Sequence, residues 1–222
     1  MNLKLPTPEE KRALPGETNV EALLYALDSR LLDKITVTLV GRASYEIGDK
    51  KLTEKLKALL NEEVRVDDRT GKIRLTDDVD CYHTDEAQAI IDIGHQQSYV
   101  ALLADCYVHA LNERTLTLPK GWQERIQPVL GHNFEKLEIK RLDPLDFVVC
   151  KGAAGRPKDI KFLRAFCESL NIGQQQIAEK INATLNDPTP QLRLDRGSQI
   201  NLTMLVGRLF PSSDISDRPQ ID

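Results

Sequence analysis

Residues 35–41 read ITVTLVG, and residues 75–82 read LTDDVDCY. The first stretch is dominated by β-branched and other apolar residues, which predicts a strand that ends at the turn residue Gly41. The second stretch is also extended in character, because its valine, cysteine and tyrosine suit a sheet better than a helix. A strand with a glycine turn, followed by an acidic strand, therefore forms the centre of the expected fold.

Asp78 and Asp80 are separated by one residue on the acidic strand. Side chains alternate between the two faces of a strand, so both carboxylates face the same way with about 7 Å between their Cα atoms. Mg²⁺ prefers oxygen ligands, and proteins usually hold it with one or two carboxylates plus substrate phosphates. The pair is a candidate metal site, although a solvated acidic strand end has the same pattern.

Segments with the apolar spacing of helices lie before, between and after these strands in the sequence. Thr18 and Glu21 have the spacing of a capping box, and apolar residues spaced by three and four predict a helix from there to about residue 32. A further strand is predicted at 134–141, and further helices are predicted at 51–63, 84–94, 98–112, from 143 through Lys151, at 157–170, 174–185 and 198–209. This order of elements indicates a mixed α/β protein with a helical C-terminal part.

Composition limits the class of protein. With 41% apolar and 29% charged residues the chain has ordinary globular values, and no stretch approaches the ~18 consecutive apolar residues of a membrane span. Prolines and acids near the N-terminus do not suit a secretory signal, which predicts a cytoplasmic protein. A net charge of −4 argues against indiscriminate nucleic-acid binding. The four cysteines form no Cys-x-x-Cys pair and are expected to be reduced, mostly buried thiols.

The chain is long enough for one core with a small appendage. We expect a flexible arm at residues 1–17, a main domain at 18–170, helices packed on that domain at 171–210 and a tail at 211–222.

Local charge is uneven. Residues 77–86 contain five acids and no lysine or arginine, whereas residues 151–164 contain five basic residues and one acid. An acidic segment and a basic segment are therefore both available to line one pocket. The basic segment has two interpretations, a phosphate or RNA contact and a solvated helix face.

Together these motifs resemble a known superfamily. VTLVGRASYEIG at 37–48 followed by LTDDVDCY resembles the strand–glycine–helix and Thr-x-Asp-hydrophobic-Asp elements of the DNA polymerase beta superfamily of minimal nucleotidyltransferases. LPKGW at 118–122 and LDPLDFVVCKGAAGRPKDIKFLRAF at 142–166 are similar to uncharacterised and AbiEii-like nucleotidyltransferases, some of which are toxins of toxin–antitoxin pairs. The resemblance implies a mixed-sheet, nucleotidyltransferase-like α/β core with a helical C-terminal part.

The resemblance also implies roles for individual residues. Asp78 and Asp80 would bind a divalent metal, Mg²⁺ or Mn²⁺, and would act in catalysis with a third carboxylate. Glu138 is the first candidate for that carboxylate, and Asp159 is the second. The residues implied to bind the nucleotide phosphates are Gly41, Arg42, Ser44, Lys151, Arg156 and Lys158.

The implied activity is transfer of a nucleoside monophosphate from a nucleoside triphosphate to an RNA, protein or small-molecule acceptor. Expected partners are the triphosphate, tRNA or another RNA, and a cognate antitoxin; a membrane is not expected. The superfamily usually has a small residue where this chain has Arg42, which could bind phosphate or close the nucleotide pocket. The alternative is a catalytically inactive protein of the same fold that acts as a binding or regulatory partner or as an RNA-binding module. The predicted helix at 51–63 is an insertion that could shape substrate choice.

Overall fold

The structure is a computed structural model of the chain and describes residues 5–47, 49–62, 65–68, 70–112, 114–187 and 194–211. The chain divides into two compact units. Their bounds are Met1–Leu116 with Trp122–Asp143 for the first unit, and Thr117–Gly121 with Pro144–Asp222 for the second. The predicted tail lies outside the described residues except for Pro211.

The first unit contains all five strands that the described residues form. They are β1 (Ile35–Leu39), β2 (Asp78–Tyr82), β3 (Tyr107–Leu111), β4 (Gln127–Pro128) and β5 (Leu137–Arg141). Its helices are α1 (Pro8–Arg12), α2 (Asn19–Asp28), α3 (Ala43–Glu46), α4 (Lys50–Leu60), α5 (Gln88–Gly94) and α6 (Tyr99–Ala104), with a 3₁₀ turn at Trp122–Arg125.

The strands form one mixed sheet in the order β3-β2-β1-β5-β4. β1 is antiparallel to β2 and parallel to β5, and β2 is parallel to β3. Side chains such as Val37, Val79 and Ile139 are buried in the core to which α2, α5 and α6 contribute. The alternate positions of β2, which include Asp78 and Asp80, are only partly buried. The mixed α/β class is confirmed.

The second unit is helical in its described part. Its helices are α7 (Pro144–Ala154), α8 (Pro157–Leu170), α9 (Gln174–Leu185) and α10 (Arg196–Leu209). The rings of Phe147, Phe162 and Phe166 pack against one another, and the buried Asp146 forms an ion pair with Lys180. None of the described helices is long and apolar enough to cross a bilayer.

The unit boundary differs from the predicted one at residue 170. α7 and α8 pack with α9 and α10, so the division falls between Asp143 and Pro144. The sequence showed where each of these helices begins but not which helices share a core, because packing partners are set by tertiary contacts. The predicted helical C-terminal part is therefore confirmed but begins earlier.

The helix predicted at 98–112 is wrong in its second half. α6 ends at Ala104, and Asp105 follows in the left-handed conformation with a φ of 51°. A left-handed residue ends a helix, and the chain continues as β3, which pairs in parallel with β2. The hydrogen bonds of that pairing outweigh the helical spacing of the apolar residues around Leu103.

The predicted N-terminal arm contains the helix α1, and its flexibility stays a prediction. α1 begins with a capping box in which Thr7 and Glu10 bond to each other's backbone N–H groups. The ammonium of Lys11 lies 2.6 Å from Oδ1 of Asp105, which fixes α1 to the end of α6. The capping box predicted for Thr18 and Glu21 is confirmed at the start of α2.

Asp28 joins the end of α2 to the start of β5. Its buried carboxylate accepts hydrogen bonds from the backbone N–H groups of Glu135, Lys136 and Leu137 at 2.8–3.1 Å. We expect Asp28→Ala to lower the free energy of unfolding by about 3 kcal/mol, because buried N–H donors lose a charged acceptor. Urea unfolding followed by circular dichroism measures this. Asp33→Ala, which removes an exposed acid nearby, is the control, and equal effects of the two substitutions would contradict the role of Asp28.

Candidate functional site

Asp78 and Asp80 lie on the same side of β2, as the alternation of the strand requires. Val79 between them is buried in the core. The hydroxyl of Thr76 donates to Oδ1 of Asp78 at 3.1 Å, which orients that carboxylate. The sequence therefore located the acidic pair and the face on which it lies.

His109 completes this group. It pairs with Asp80 across the parallel strands β2 and β3, and its Nδ1 lies 3.2 Å from Oδ1 of Asp80 and 3.8 Å from Oδ2 of Asp78. One ligand atom from each of the three residues lies within 4.8 Å of the others. Two carboxylates with an imidazole suit a divalent transition metal, and the two carboxylates alone suit Mg²⁺, so the residues present fit a divalent ion.

His109 was missed in the sequence because its segment was assigned to a helix. The available signal was local: Cys106, Tyr107 and Val108 favour a strand, and Asp105 before them can end a helix. Such a signal predicts a strand but not that the strand pairs with β2. The identity of the third ligand therefore depends on a non-local pairing.

Gly41 lies directly against the acidic pair. A Cβ built on Gly41 would lie 2.8 Å from both Cβ and Oδ2 of Asp80, closer than real Cβ atoms come to other heavy atoms. The backbone N–H of Val40, one residue earlier, donates to the carbonyl oxygen of Asp80 at 2.9 Å. Only a residue without a side chain fits between these two strands, which explains the glycine at this turn. The phosphate-binding role of Gly41 stays a prediction.

The structure corrects the prediction for Ser44. This residue is fully buried, and its hydroxyl donates to the carbonyl oxygen of Gly41 at 2.7 Å. The hydroxyl therefore stabilises the turn after β1 and is not accessible to a phosphate.

Arg42 is held by two carboxylates. Its Nη2 donates to Oε1 of Glu46 at 2.8 Å and to Oε2 of Glu62 at 2.7 Å. Burial raises the pKa of Glu46, and the positive charge of Arg42 opposes that shift. A phosphate would have to compete with these ion pairs for Arg42, whose phosphate-binding role stays a prediction.

Glu138 does not join the acidic pair. It pairs with Thr36 on β1, whereas Asp80 receives the bond from Val40, four residues further along the same strand. Four residues of strand span roughly 13 Å, and β1 separates β5 from β2. The carboxylate of Glu138 accepts from the Thr36 hydroxyl and lies 3.4 Å from Nζ of Lys140. Register thus removes the expected third carboxylate from this group, in which the third donor is His109.

The remaining predicted site residues belong to the second unit. Lys151 lies on α7, and Lys158 lies in the first turn of α8. Arg156 precedes α8 and forms an ion pair with Asp159. The roles predicted for these four residues, and the shared pocket of opposite charges, stay predictions.

The cysteine prediction is confirmed, since all four are free and buried. Burial, together with the nearby charge of Asp80, raises the pKa of Cys81 to about 12. Cys81 therefore remains a neutral thiol at physiological pH, and its side chain belongs to the core rather than to the acidic group.

The contact between Gly41 and Asp80 can be tested by Gly41→Ala. We expect this change to displace Asp80 or to separate β1 from β2, because the new methyl group has no space. It should lower the melting temperature and weaken the binding of Mn²⁺ measured by electron paramagnetic resonance. Gly207→Ala is the control, because no atom lies within 4 Å of the added Cβ in α10. Alanine should stabilise that helix by up to about 1 kcal/mol, and a tolerated Gly41→Ala would contradict the close approach.

The third ligand can be tested with His109→Ala. If His109 contributes a donor, Mn²⁺ affinity should fall about tenfold or more, in the range seen when groups that support a metal site are removed. His95→Ala, which removes an exposed histidine after α5, should leave the affinity unchanged. Wild-type affinity in the His109 variant would show that the two aspartates act without it.

Comparison with known proteins identifies a family. The sequence model of a family described as "Nucleotidyltransferase of unknown function (DUF6036)" matches residues 69–182, just over half of the 222 residues. The matched segment includes Asp78, Asp80 and His109. No curated protein and no solved structure gave a match. The chain therefore belongs to this family of nucleotidyltransferases of unknown function.

Proposed function

We propose that this chain transfers a nucleoside monophosphate from a nucleoside triphosphate to an acceptor hydroxyl, with release of pyrophosphate, at a site formed by Asp78 and Asp80. The observation that carries the proposal is the convergence of these carboxylates with His109 beside the Gly41 turn. This convergence occurs in a member of a nucleotidyltransferase family.

The chemistry divides between the residues and the metal. Asp78 and Asp80 would hold the ion, for which we propose Mg²⁺ or Mn²⁺. Thr76 orients Asp78 by its hydrogen bond, and His109 contacts both carboxylates. When bound, such a cation would supply activation of the acceptor hydroxyl and neutralisation of charge on the α-phosphate. The absence of a side chain at Gly41 lets the carboxylate of Asp80 lie against the backbone of the turn.

Other parts of the proposal rest on the resemblance alone. These are a tRNA, another RNA, a protein or a small molecule as acceptor, and a toxin–antitoxin role with a cognate antitoxin. A cytoplasmic location is proposed as well, from composition rather than from the resemblance. The ion pairs of Arg42 leave its part in phosphate binding open to experiment.

A binding or regulatory module without catalysis is the second candidate. The observation that favours it is the composition of the group, which has two carboxylates and an imidazole where the resemblance implies three carboxylates. Such a protein would still bind the metal and the nucleotide. An assay of nucleoside monophosphate transfer therefore distinguishes the two candidate functions, whereas an assay of binding does not.

The proposed reaction is tested by incubation with each labelled nucleoside triphosphate, Mg²⁺ or Mn²⁺, and RNA, protein or small-molecule acceptors. Asp78→Asn and Asp80→Asn should each reduce label transfer at least about a hundredfold, because metal-held charge is lost from the transition state. Asp85→Asn changes an exposed acid of the same acidic segment and should not affect transfer.

Transfer that is unchanged in the Asp78 and Asp80 variants would refute the site. Binding of metal and triphosphate by the wild-type protein without transfer to any acceptor would instead favour the binding module. Melting curves of all three variants show whether each one remains folded.

A further inference from the structure

A polar cavity of about 920 Å³ opens beside the metal group within the first unit. Its walls include Arg42 and Glu46, the end of α4, and residues 74–77, which lead into β2. Ligand pockets in proteins typically measure roughly 300–1,000 Å³, so the space is sufficient for a nucleoside. Most of the lining residues are charged or polar, which suits a polar heterocycle better than an apolar ligand.

Glu46 presents an unsatisfied acceptor in this wall. Its side chain is fully buried, and Oε1 accepts two hydrogen bonds from Arg42 at 2.8 and 2.9 Å. Oε2 is buried without a hydrogen-bond partner among the described residues. Buried polar atoms are nearly always hydrogen-bonded. Oε2 belongs to a residue that lines the cavity, so it is an acceptor for a ligand donor once the wall moves to admit that donor.

Residues that line the cavity contact or adjoin the metal group. Thr76 lines the cavity and donates to Asp78, and Arg42 lines the cavity and directly follows Gly41. A nucleoside bound in the cavity would therefore lie next to the carboxylates that the proposed reaction uses. In a nucleotide, the ribose spans the distance between the base and the reacting phosphate.

We infer that this cavity binds a nucleobase and that Oε2 of Glu46 accepts a hydrogen bond from a ring N–H group. Lys57 and Asn61, which line the same cavity, supply N–H donors for a neighbouring carbonyl oxygen. Guanine and uracil present an N–H group beside a carbonyl, whereas adenine and cytosine present an unprotonated ring nitrogen at neutral pH. The cavity thus selects guanine or uracil. This inference rests on the proposed function and names the substrate class of that site.

The base can come from the nucleoside triphosphate or from the 3′ nucleotide of an RNA acceptor, since the hydrogen-bonding chemistry is the same. Calorimetry with the four triphosphates in the presence of Mg²⁺ tests the first source. Titration with four short RNA oligonucleotides that differ only in the 3′ base tests the second. In one of these series, wild-type protein should bind the guanine or uracil member at least about tenfold more tightly than the adenine and cytosine members.

Glu46→Gln is the decisive variant. The oxygen of the new glutamine amide continues to accept hydrogen bonds from Arg42. The NH₂ group of that amide therefore takes the position of Oε2. An acceptor becomes a donor there, so the preference should move to adenine or cytosine. Glu62→Gln is the matched control, because it removes a negative charge that contacts the same arginine. Both carboxylate oxygens of Glu62 already accept hydrogen bonds from Arg42. The control should keep the wild-type preference.

Asn61→Gly provides a second variant if Glu46→Gln does not fold. Asn61 has a φ of 54°, which glycine adopts without strain, so the fold should be kept while one donor is lost. Affinity for the preferred base should fall about threefold to tenfold, as for one neutral hydrogen bond, and binding of the other bases should change less.

Equal binding of all four bases by the wild type in both series would overturn the inference. A Glu46→Gln variant that is folded and keeps the guanine or uracil preference would overturn it as well. If the wild type prefers guanine or uracil and Glu46→Gln reverses that preference, but no transfer occurs, the cavity inference is supported and the proposed reaction is refuted. If transfer depends on Asp78 and Asp80 but proceeds equally with all bases, the reaction stands and the cavity inference fails.

Discussion

The close approach of Gly41 to Asp80 is the contact on which the site depends. The antiparallel pairing of β1 and β2 brings the backbone of the turn to the carboxylate, leaving no space for a Cβ at residue 41. One hydrogen bond of that pairing, from Val40 to Asp80, lies at the same point. The turn, the sheet register and the acidic pair are thus one structural unit, and a change in any of them alters the position of Asp80.

The sheet arranges its chemistry around this contact. β1 lies between β2 and β5, while β3 on the other side of β2 brings His109 to the carboxylates. The turn after β1 continues into α3, where Arg42 and Glu46 form a buried ion pair beside the cavity. Burying a carboxylate costs free energy that one arginine only partly offsets, as the raised pKa of Glu46 indicates. Groups that carry such a cost concentrate at functional sites.

The local sequence pattern was sufficient to predict part of this arrangement. Alternation along β2 placed Asp78 and Asp80 on one face, and the spacing of Thr18 and Glu21 gave the start of α2. The third ligand could not be obtained in the same way. Glu138 and His109 both lie on strands of the sheet, and the order and register of those strands decide which one reaches the aspartates. Register depends on contacts between residues distant in sequence, which a single sequence does not display.

Two parts of the chain support two different conclusions about function. The family match begins at residue 69 and includes Asp78, Asp80 and His109, so it bears on the metal chemistry. Gly41, Arg42 and Glu46 precede the matched segment, and their arrangement is supported by the structure alone. The proposed metal chemistry does not by itself determine which base is bound. Because the wall residues from Arg42 to Asp67 precede the matched segment, the proposed base choice can change through them while Asp78 and Asp80 stay in place.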